Sequence, residues 1–279
     1  MKNPYSEFYF RVFDKRSRQI RKKIIEILVA SGRGHIGSAL SLVEILRVLF
    51  DDVLCYNATE PNWKDRDRLI LSKGHGCLAL YVFLSEKGYF EEKELYSACN
   101  FESLLGGHPS FNIPGVEAAT GALGHGLSIG VGMALAGRID HKTYKTFVIL
   151  GDGECQEGSI WEAAMNASKH KLDNLVVIVD RNRMQCFGPT EDVQPLEPFS
   201  EKWKSFGFKV TECDGHSVNS IRESLNDISS SNDQPNVLIC HTVKGMGLQA
   251  AANNPEWHHK SRLGEDEAAQ LFAELECEK

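Results

Sequence analysis

The sequence predicts an α/β fold of three layers, in which a mostly parallel sheet carries helices on both faces. Two apolar segments of strand length, 146–150 and 175–179, contain no charged side chain. Strands of this kind are typical of a buried parallel sheet. The segment 159–170, which separates them, has the character of a helix. The rest of the chain continues this alternation of strands and helices, as expected for an α/β protein.

The first helix is predicted over 14–30, where isoleucine and leucine side chains fall on one face. Ser41 is expected to cap the next helix, because Glu44 three residues later can complete a capping box. The helix over 159–170 is expected to bury one of its faces. The candidates for that face are Trp161, Ala164, Met165 and Ala167.

The remaining elements follow from the same patterns. Further strands are predicted at 65–71, 208–210 and 236–243. Further helices are predicted at 76–87, 124–139 and 217–230. The second of these helices is rich in glycine and alanine, which permits close packing or a nearby cofactor. Exposed loops are predicted at 91–116, 187–199 and 245–263.

The composition is that of an ordinary globular protein. A chain of 279 residues can form one large α/β domain over 1–279, with an acidic tail from about residue 265. The net charge is −7, and the lack of a long basic run argues against a nucleic-acid partner. No apolar stretch is long enough to span a membrane or to act as a signal peptide. The eight cysteines form no Cys-x-x-Cys, so we expect reduced thiols in a cytoplasmic protein.

Two polar motifs follow the two apolar strands. Gly151 to Glu154 comes directly after the first, and Asp180 to Asn182 ends the second. Each motif alone is typical of an ordinary turn. Together they place Asp152 and Asn182 at the same edge of a parallel sheet, where their oxygen atoms suit Mg²⁺ bridging to a diphosphate. The pair therefore predicts thiamine diphosphate held through a divalent metal.

Several histidines lie in turns bounded by glycine or in short loops. Taken singly, such a histidine is usually a surface or hydrogen-bonding residue. In a chain with a diphosphate motif, their N–H groups are candidates to bind phosphate oxygens or sugar hydroxyls. These candidates are His35, His75, His108 and the pair His258 and His259. We expect a structural role for His141, His170, His216 and His241, while His125 fits either role.

Taken together, the motifs resemble the N-terminal, thiamine diphosphate-binding half of transketolase over residues 15–262. The resemblance lies in Ser-Gly-Arg-Gly-His-Ile-Gly, Leu-Ser-Lys-Gly-His, Gly-Gly-His-Pro, Thr-Gly-Ala-Leu-Gly-His-Gly, Gly-Asp-Gly-Glu, Lys-Leu-Asp-Asn-Leu and His-Thr-Val-Lys-Gly. It implies the thiamine diphosphate-binding fold, in the form of the PP-type domain that binds the diphosphate of the cofactor. It also implies transfer of a two-carbon ketol unit from a ketose to an aldose.

The resemblance assigns a role to each matching residue. The metal, Mg²⁺ with Ca²⁺ or Mn²⁺ as substitutes, would bind Asp152, Asn182 and the main-chain carbonyl of Met184. The cofactor would contact His75, Gly121, Leu123, Gly153, Glu154 and His258, with Lys244 as a further phosphate or substrate contact. His35 and His108 would bind hydroxyls of the donor sugar and, with His258, form the catalytic set. Whether His258 or His259 meets the diphosphate stays open.

The resemblance also implies a partner. In transketolase the glutamate that activates the cofactor comes from a pyrimidine-binding domain, and no segment of this chain matches that domain. We therefore expect one subunit of a two-chain transketolase, active with a C-terminal subunit in an α₂β₂ heterotetramer on sugar or sugar phosphate substrates. Glu157 and Glu162 match carboxylates at the subunit interface. They could equally be acidic residues that favour a helix N-terminus.

Three alternatives remain at this point. The α subunit of a 2-oxo-acid dehydrogenase shares the Gly-Asp-Gly and Asn motifs but would not be expected to carry the sugar-facing histidines. A deoxyxylulose-phosphate-synthase-like enzyme shares the pattern of residues 35–38 but is normally one long chain. A non-catalytic binding or scaffolding subunit would have no need of Asp152, Asn182 and His75.

Overall fold

A single sheet of five parallel strands forms the centre of the molecule. The computed structural model describes residues 11–228, 233–258, 260 and 262–276. The strands are β1 (Arg68–Leu71), β2 (Thr146–Gly151), β3 (Leu175–Arg181), β4 (Lys209–Asp214) and β5 (Asn236–His241). Their order in the sheet is β1-β2-β3-β5-β4, and every neighbouring pair is parallel. The predicted parallel sheet is therefore confirmed.

Ten α-helices connect and cover these strands in the described part of the chain. They are α1 (Lys15–Ser31), α2 (Ile36–Leu40), α3 (Val43–Val48), α4 (Cys77–Glu86), α5 (His125–Ile139), α6 (Gly158–Lys169), α7 (Thr190–Val193), α8 (Phe199–Ser205), α9 (Val218–Asp227) and α10 (Glu265–Glu276). A π-helical turn, Leu49–Val53, extends α3. Short 3₁₀ turns occupy Gly74–Gly76, Glu92–Ser97, Gly153–Gln156 and Pro255–Trp257.

The sheet separates two hydrophobic cores. Alternate side chains of a strand point to opposite faces, and β2 shows this directly. Phe147 and Ile149 pack in one core with α1 to α4, α9 and α10. Val148 and Leu150 pack in the other with α5, α6 and α8. The structure therefore has the three layers that the sequence predicts.

Helix α1 shows how local signals set the helix limits. The Asp14 side chain accepts a hydrogen bond from the main-chain nitrogen of Ser17, and Gly32 ends the helix in the left-handed region at φ 66°. The acidic C-terminal segment, predicted to be a tail, is helical and packs against α1. Its Ala268, Leu271 and Leu275 are buried, because apolar residues recur along it at helical spacing.

The glycines of α5 let this helix lie very close to the sheet. A Cβ atom on Gly130 would overlap the Val148 side chain of β2, and one on Gly126 would overlap Ser72. A Cβ atom on Gly132, in contrast, would meet nothing within 4 Å. The close packing expected from the composition is thus present on one side of α5.

The predicted capping box at Ser41 and Glu44 is wrong. Ser41 lies in the break between α2 and α3, and its hydroxyl bonds the Ser38 carbonyl and Asp180. The Glu44 carboxylate instead forms a buried ion pair with Arg21, at 2.7 Å. Contacts with distant segments of the chain therefore override the local capping pattern.

The predicted buried face of α6 is only half correct. Ala164 and Ala167 are buried, together with Ile160 and Ala163. Met165 is 55% exposed, and Trp161 is only partly buried, against Trp203 and Phe206. Three of the four buried residues are alanines, and α6 packs against α5.

Two further findings concern the described residues. No helix among them has both the length and the apolar character needed to cross a membrane. Their seven cysteines are all free thiols. Two of them, Cys213 and Cys240, lie side by side on β4 and β5 with their sulfur atoms 3.6 Å apart.

Candidate functional site

The predicted site residues converge at the carboxyl edge of the sheet. Asp152 follows β2 and Asn182 follows β3, and the register pairs Gly151 with Asp180. Segments after β1 and β5 contribute Lys73 and Lys244 at the same edge. Open parallel sheets bind ligands at this edge. A cavity of about 280 Å³ lies there.

Every described residue that was predicted to bind the cofactor, metal or sugar lines this cavity. The lining comprises His35, Ser38, Lys73, His75, His108, Gly121, Leu123, Gly151, Asp152, Gly153, Glu154, Asn182, Met184, Gln185, Cys186, Lys244 and His258. Residues from widely separated parts of the sequence therefore meet in one pocket. His259, the alternative to His258, lies outside the described residues.

Asp152 is buried, and hydrogen bonds from neighbouring residues fix its carboxylate. Its Oδ1 accepts a hydrogen bond from the nitrogen of Gly153 at 2.8 Å. Its Oδ2 accepts one from the nitrogen of Arg183 at 2.5 Å and one from Arg181 at 3.2 Å. Burial raises the pKa of this carboxyl, while Arg181 and the two main-chain donors act in the opposite direction. The side chain is thus fixed in orientation.

The loop after β3 brings Asn182 and Met184 to the same cavity. Asn182 is 5% exposed, and its Oδ1 accepts a hydrogen bond from the nitrogen of Met184 at 3.0 Å. The loop turns sharply here because Arg183 has a positive φ of 64°. A bridge between Met184 and Pro189 closes the turn.

These oxygen atoms fit a hard divalent cation. No group of three or more His, Cys, Asp or Glu side chains suited to a metal occurs in the described part of the chain. The set here is different, with one carboxylate, one amide oxygen and one main-chain carbonyl. Mg²⁺ typically takes few protein ligands and completes its shell with substrate phosphate and water. The donor set therefore suits a metal that also binds a phosphorylated cofactor.

Four histidine rings form a cluster on one side of the cavity. The ring of His35 lies 5.6 Å from that of His75, 5.9 Å from that of His108 and 5.5 Å from that of His258, between centroids. His75 and His258 are 5.9 Å apart. Turns far apart in sequence thus place four imidazoles within reach of one small ligand.

Cationic groups surround this histidine cluster. Burial and the nearby Lys73 lower the pKa of His75 well below its usual value, which favours the neutral ring. The Lys244 amine lies 2.7 Å from Nδ1 of His258. Burial, together with Lys73, lowers the pKa of Lys244 to about 8. Lys244 and the imidazole N–H groups make this part of the pocket suitable for an anion.

Glu154 lines the cavity, but its carboxylate is engaged by the protein. One oxygen accepts hydrogen bonds from the Ser72 hydroxyl and the Gly124 nitrogen, and the other accepts one from the Gly151 nitrogen. Burial raises its pKa, and these three donors oppose the rise. Glu154 therefore holds the segment before α5 against the end of β2.

The segment before α5 contributes two surfaces to the cavity. Gly121 has φ +147°, and a Cβ atom there would lie 3.1 Å from the His108 ring. Leu123 is 36% exposed although it is a large apolar residue. Because glycine has no Cβ, Gly121 can adopt this backbone and approach His108 closely. The result is a narrow apolar wall beside the histidines.

The sequence did not reveal two buried ion pairs beneath the site. Lys73 pairs with Asp180, which also accepts hydrogen bonds from Ser41 and Thr242. Burial alone would raise the pKa of Asp180, but Lys73 and these donors lower it. Lys73 belongs to the Leu-Ser-Lys-Gly-His motif and Asp180 precedes Asn182 in the second polar motif. Membership of these motifs is the sequence signal that could have indicated them.

The second ion pair joins Arg181 to Asp152. The same guanidinium contacts Glu197 at 2.9 Å and Glu191 at 3.4 Å. Arg181 thereby links the end of β3 to the loop that follows it. Nothing in the sequence pattern indicated that this arginine would be buried.

The histidines without a predicted site role lie elsewhere. His216 is buried, with Nδ1 3.1 Å from Glu44 and Nε2 accepting a hydrogen bond from the Val243 nitrogen. His241 contacts Glu212 at 2.7 Å. His125 is exposed at the start of α5, and its ring forms a hydrogen bond with the Leu123 carbonyl. His141 and His170 lie on the surface at the ends of α5 and α6.

Comparison with known proteins agrees with this geometry. Residues 14–278 match the family described as transketolase, thiamine diphosphate binding domain. A protein of Phocaeicola vulgatus, named as one of the subunits of apulose-4-phosphate transketolase, is 44% identical over 243 residues, covering 87% of this chain and 86% of that protein. A protein of the same name from Actinobacillus succinogenes is 42% identical over 278 residues, which cover 99% of this chain and 100% of that protein.

Longer transketolases match over part of their length. Human transketolase is 35% identical over 260 residues, which cover 93% of this chain and 41% of that protein. The solved transketolase from Leishmania mexicana superimposes with a TM-score of 0.87 at 30% identity, covering 94% of this chain and 41% of that one. The chain thus spans less than half the length of these proteins. It belongs to the transketolase family and contains the thiamine diphosphate-binding domain of that family.

Proposed function

We propose that this chain is the thiamine diphosphate- and Mg²⁺-binding subunit of a two-chain transketolase. The observation that carries the proposal is the placement of Asp152 and Asn182 at the ends of adjacent strands, in a cavity with a cationic and histidine-rich wall. Mg²⁺ would bind Asp152, Asn182 and the Met184 carbonyl. Ca²⁺ or Mn²⁺ has the same preference for oxygen ligands and could replace it.

The diphosphate would lie between the metal and the cationic wall. His75, His258 and Lys244 are the proposed donors, and Gly153 would contact the diphosphate closely. Gly121 and Leu123 would pack against the cofactor rings, since they form the narrow wall beside the histidines. Glu154 would act on the cofactor indirectly, because its carboxylate already holds the segment that carries these two residues.

The sugar would bind next to His35 and His108. When bound, thiamine diphosphate supplies the nucleophilic carbon that cleaves a ketose beside its carbonyl and passes a two-carbon unit to an aldehyde. The histidines would orient the sugar hydroxyls and exchange protons with them, with His258 close enough to share that role. A pocket with four clustered imidazoles favours a hydroxyl-rich substrate over the simple 2-oxo acid of the dehydrogenase alternative.

A partner protein would cover the exposed side of α5 and α6. These helices lie against each other and expose large apolar side chains, including Ile139 at 68% and Met165 at 55%. Glu157 and Glu162 are exposed as well. We propose a C-terminal subunit with a pyrimidine-binding domain as the partner, in an α₂β₂ assembly. Two relatives of similar length, each named as one of the subunits of a transketolase, support a second chain.

The names of the relatives also suggest the kind of sugar. Two relatives are named for apulose-4-phosphate, and a third, 38% identical over 260 residues, for 6-deoxy-6-sulfo-D-fructose. Both names describe a sugar that carries an anionic group. We propose that the donor is a ketose with a phosphate or sulfonate.

Calorimetric titration with thiamine diphosphate tests this proposal. The full-length chain should bind the cofactor tightly in the presence of Mg²⁺ and far more weakly in EDTA. Titration with thiamine, which lacks the diphosphate, is the matched control and should give little heat in either buffer. Equal binding of thiamine diphosphate with and without a divalent metal would contradict the proposed site.

A further inference from the structure

The side chain of Arg181 lies beside the proposed metal site but outside the lining of the cofactor cavity. It is only 1% exposed, and its Nη1 donates a hydrogen bond to Oδ2 of Asp152 at 3.2 Å. A ligand in the cavity meets Asp152 and not Arg181. The arginine can therefore act on a bound metal through the carboxylate that it contacts.

The other contacts of Arg181 lie in the segment between β3 and α8. Its Nη1 also donates to the Thr190 hydroxyl at 3.3 Å. Its Nη2 donates to Glu197 at 2.9 Å and to Glu191 at 3.4 Å. The guanidinium carbon lies 4.9 Å from the centroid of the Phe199 ring, where α8 begins. One guanidinium thus connects the proposed metal carboxylate to the whole of this segment.

The same segment carries the other two proposed metal ligands. Asn182 and Met184 follow Arg181 directly in the sequence and line the cavity. The bridge between Met184 and Pro189 joins this turn to Thr190, which Arg181 contacts. The positions of the carboxylate and of the main-chain carbonyl therefore depend on one buried side chain.

The charge of Arg181 is offset by two carboxylates that do not line the cavity. A guanidinium is always charged, and a cation next to a metal site would by itself repel the metal. Glu191 and Glu197 share this guanidinium, and their side chains are 35% and 38% exposed. Arg181 can thus keep its hydrogen bond to Asp152 while its charge is compensated from the other side.

We propose that Arg181 is a positioning residue for the metal, which orients Asp152 and holds the turn that carries Met184. The inference rests on the proposed function, since that function supplies the metal and its ligands. Removal of a group that orients a metal ligand typically lowers metal affinity by about 10- to 100-fold. Glu197 acts on the metal through Arg181, so its effect depends on the presence of the arginine.

Binding of Mn²⁺ to the full-length chain in the presence of thiamine diphosphate tests this inference. Electron paramagnetic resonance measures the free Mn²⁺ directly. Arg181→Met, which removes the guanidinium but keeps much of the bulk, should weaken Mn²⁺ binding about 10- to 100-fold. Arg181→Lys, which keeps the charge, should recover part of the loss.

Arg66→Met is the matched control. Arg66 also pairs with a largely buried carboxylate, that of Glu117 at 2.7 Å. It precedes β1, however, and so lies at the amino edge of the sheet, away from the proposed metal site. This variant loses a comparable ion pair and should bind Mn²⁺ as the wild type does.

A double-mutant cycle with Glu197→Gln separates positioning from a general loss of stability. Glu197→Gln changes a partly exposed side chain outside the cavity lining. It should weaken Mn²⁺ binding severalfold in the wild-type background and have no further effect in Arg181→Met, because the two residues act through one contact. Circular dichroism confirms that each variant is folded.

The outcomes separate this inference from the proposed function. If the wild type binds no Mn²⁺ with thiamine diphosphate, the proposed function fails, and the inference fails with it. If the wild type binds the metal and Arg181→Met binds it equally well, only the inference is overturned. The same holds if Arg66→Met causes an equal loss or if the effects of Arg181→Met and Glu197→Gln simply add. Should Arg181→Met not fold, wild-type affinity in Glu197→Gln overturns the inference.

Discussion

The Asp152 carboxylate accepts hydrogen bonds from three donors of its own chain. The proposed metal site depends on this fixed orientation. The Gly153 and Arg183 nitrogens and the Arg181 guanidinium fix both carboxylate oxygens. Folding has therefore already restricted the rotation of the Asp152 side chain, and metal binding loses little further entropy there. Binding of a metal requires little further rearrangement of Asp152.

Replacing Asp152 by Ala should abolish Mg²⁺-dependent cofactor binding and leave the fold intact. The fold should survive because Arg181 keeps two other carboxylates, Glu191 and Glu197. We expect the affinity for thiamine diphosphate with Mg²⁺ to fall more than about 100-fold, measured by calorimetry. Asp140→Ala, at an exposed position after α5, is the control. Wild-type affinity in Asp152→Ala would exclude this residue as a metal ligand.

His35 and His108 should affect the sugar more than the cofactor. Each hydrogen bond lost to a hydroxyl of the bound donor sugar should cost about 1–3 kcal/mol of transition-state stabilisation. This loss should lower kcat/KM for the donor sugar. Kinetics of the enzyme reconstituted with its partner chain should show this for His35→Ala and His108→Ala, with unchanged thiamine diphosphate affinity. His170→Ala, at the exposed end of α6, should behave as the wild type. Unaltered donor kinetics in both variants would leave the two histidines as ordinary loop residues.

Lys244 should make cofactor binding depend on pH. Its pKa in the free protein is lowered to about 8, and a bound diphosphate would raise that pKa by stabilising the charged amine. Binding is then tightest below pH 8 and weakens as the pH rises above it, with uptake of a proton. Calorimetry at about pH 8.5, just above the shifted pKa, should detect that proton in buffers of different ionisation enthalpy. Lys244→Met should remove the uptake, and a persisting uptake would assign it to another group.

The residues whose position at the cavity could be predicted are those marked by local sequence. Asp152 and Asn182 follow apolar strands, and the four clustered histidines lie in recognisable turns. The Lys73–Asp180 pair could not be predicted, because its members are 107 positions apart in sequence. Neither could the buried state of Arg181, since an arginine at a strand end is usually exposed.

At the scale of the element, helix α5 owes its position to Gly130. A side chain at this position would overlap Val148 of the central sheet, so α5 would have to move away from β2. Gly132, on the opposite side of the same helix, has open space. The two glycines therefore separate the effect of packing from the effect of helix propensity.

Gly130→Ala should destabilise the isolated chain, whereas Gly132→Ala should not. Overpacking against the sheet is expected to cost about 1–3 kcal/mol in the free energy of unfolding. Alanine in open space should instead stabilise the helix by about 0.5–1 kcal/mol. Urea unfolding followed by circular dichroism measures both variants. Equal stability of the two would mean that α5 does not depend on close contact with β2.

Element types were easier to predict than the contacts that each element makes. All five strands and most of the longer helices were predicted, because apolar runs and helical spacing are local signals. The capping box at Ser41 failed, since Asp180 and Arg21 compete for its two side chains. The predicted buried face of α6 includes Met165, but the residues buried on this helix are Ile160, Ala163, Ala164 and Ala167, and Met165 is exposed.

At the scale of the whole molecule, the cofactor cavity lies beside an exposed apolar surface. Leu123 belongs to the cavity, while Ile129 and Met165 extend the apolar surface along α5 and α6. Large apolar side chains that are exposed on neighbouring elements can mark an interaction site. A partner seated there would also cover the cofactor and exclude water from it. The sequence could indicate the partner only through the family resemblance, because an exposed face has no local signature.

Ketol transfer by the purified full-length chain is the measurement that tests the account most directly. The chain is loaded with thiamine diphosphate and Mg²⁺, shown by mass spectrometry to be free of other proteins, and assayed with a ketose phosphate donor and an aldose acceptor. We expect no measurable transfer from the chain alone, and activity when a second chain with the pyrimidine-binding domain is added. Full activity from the chain alone would contradict the two-chain proposal.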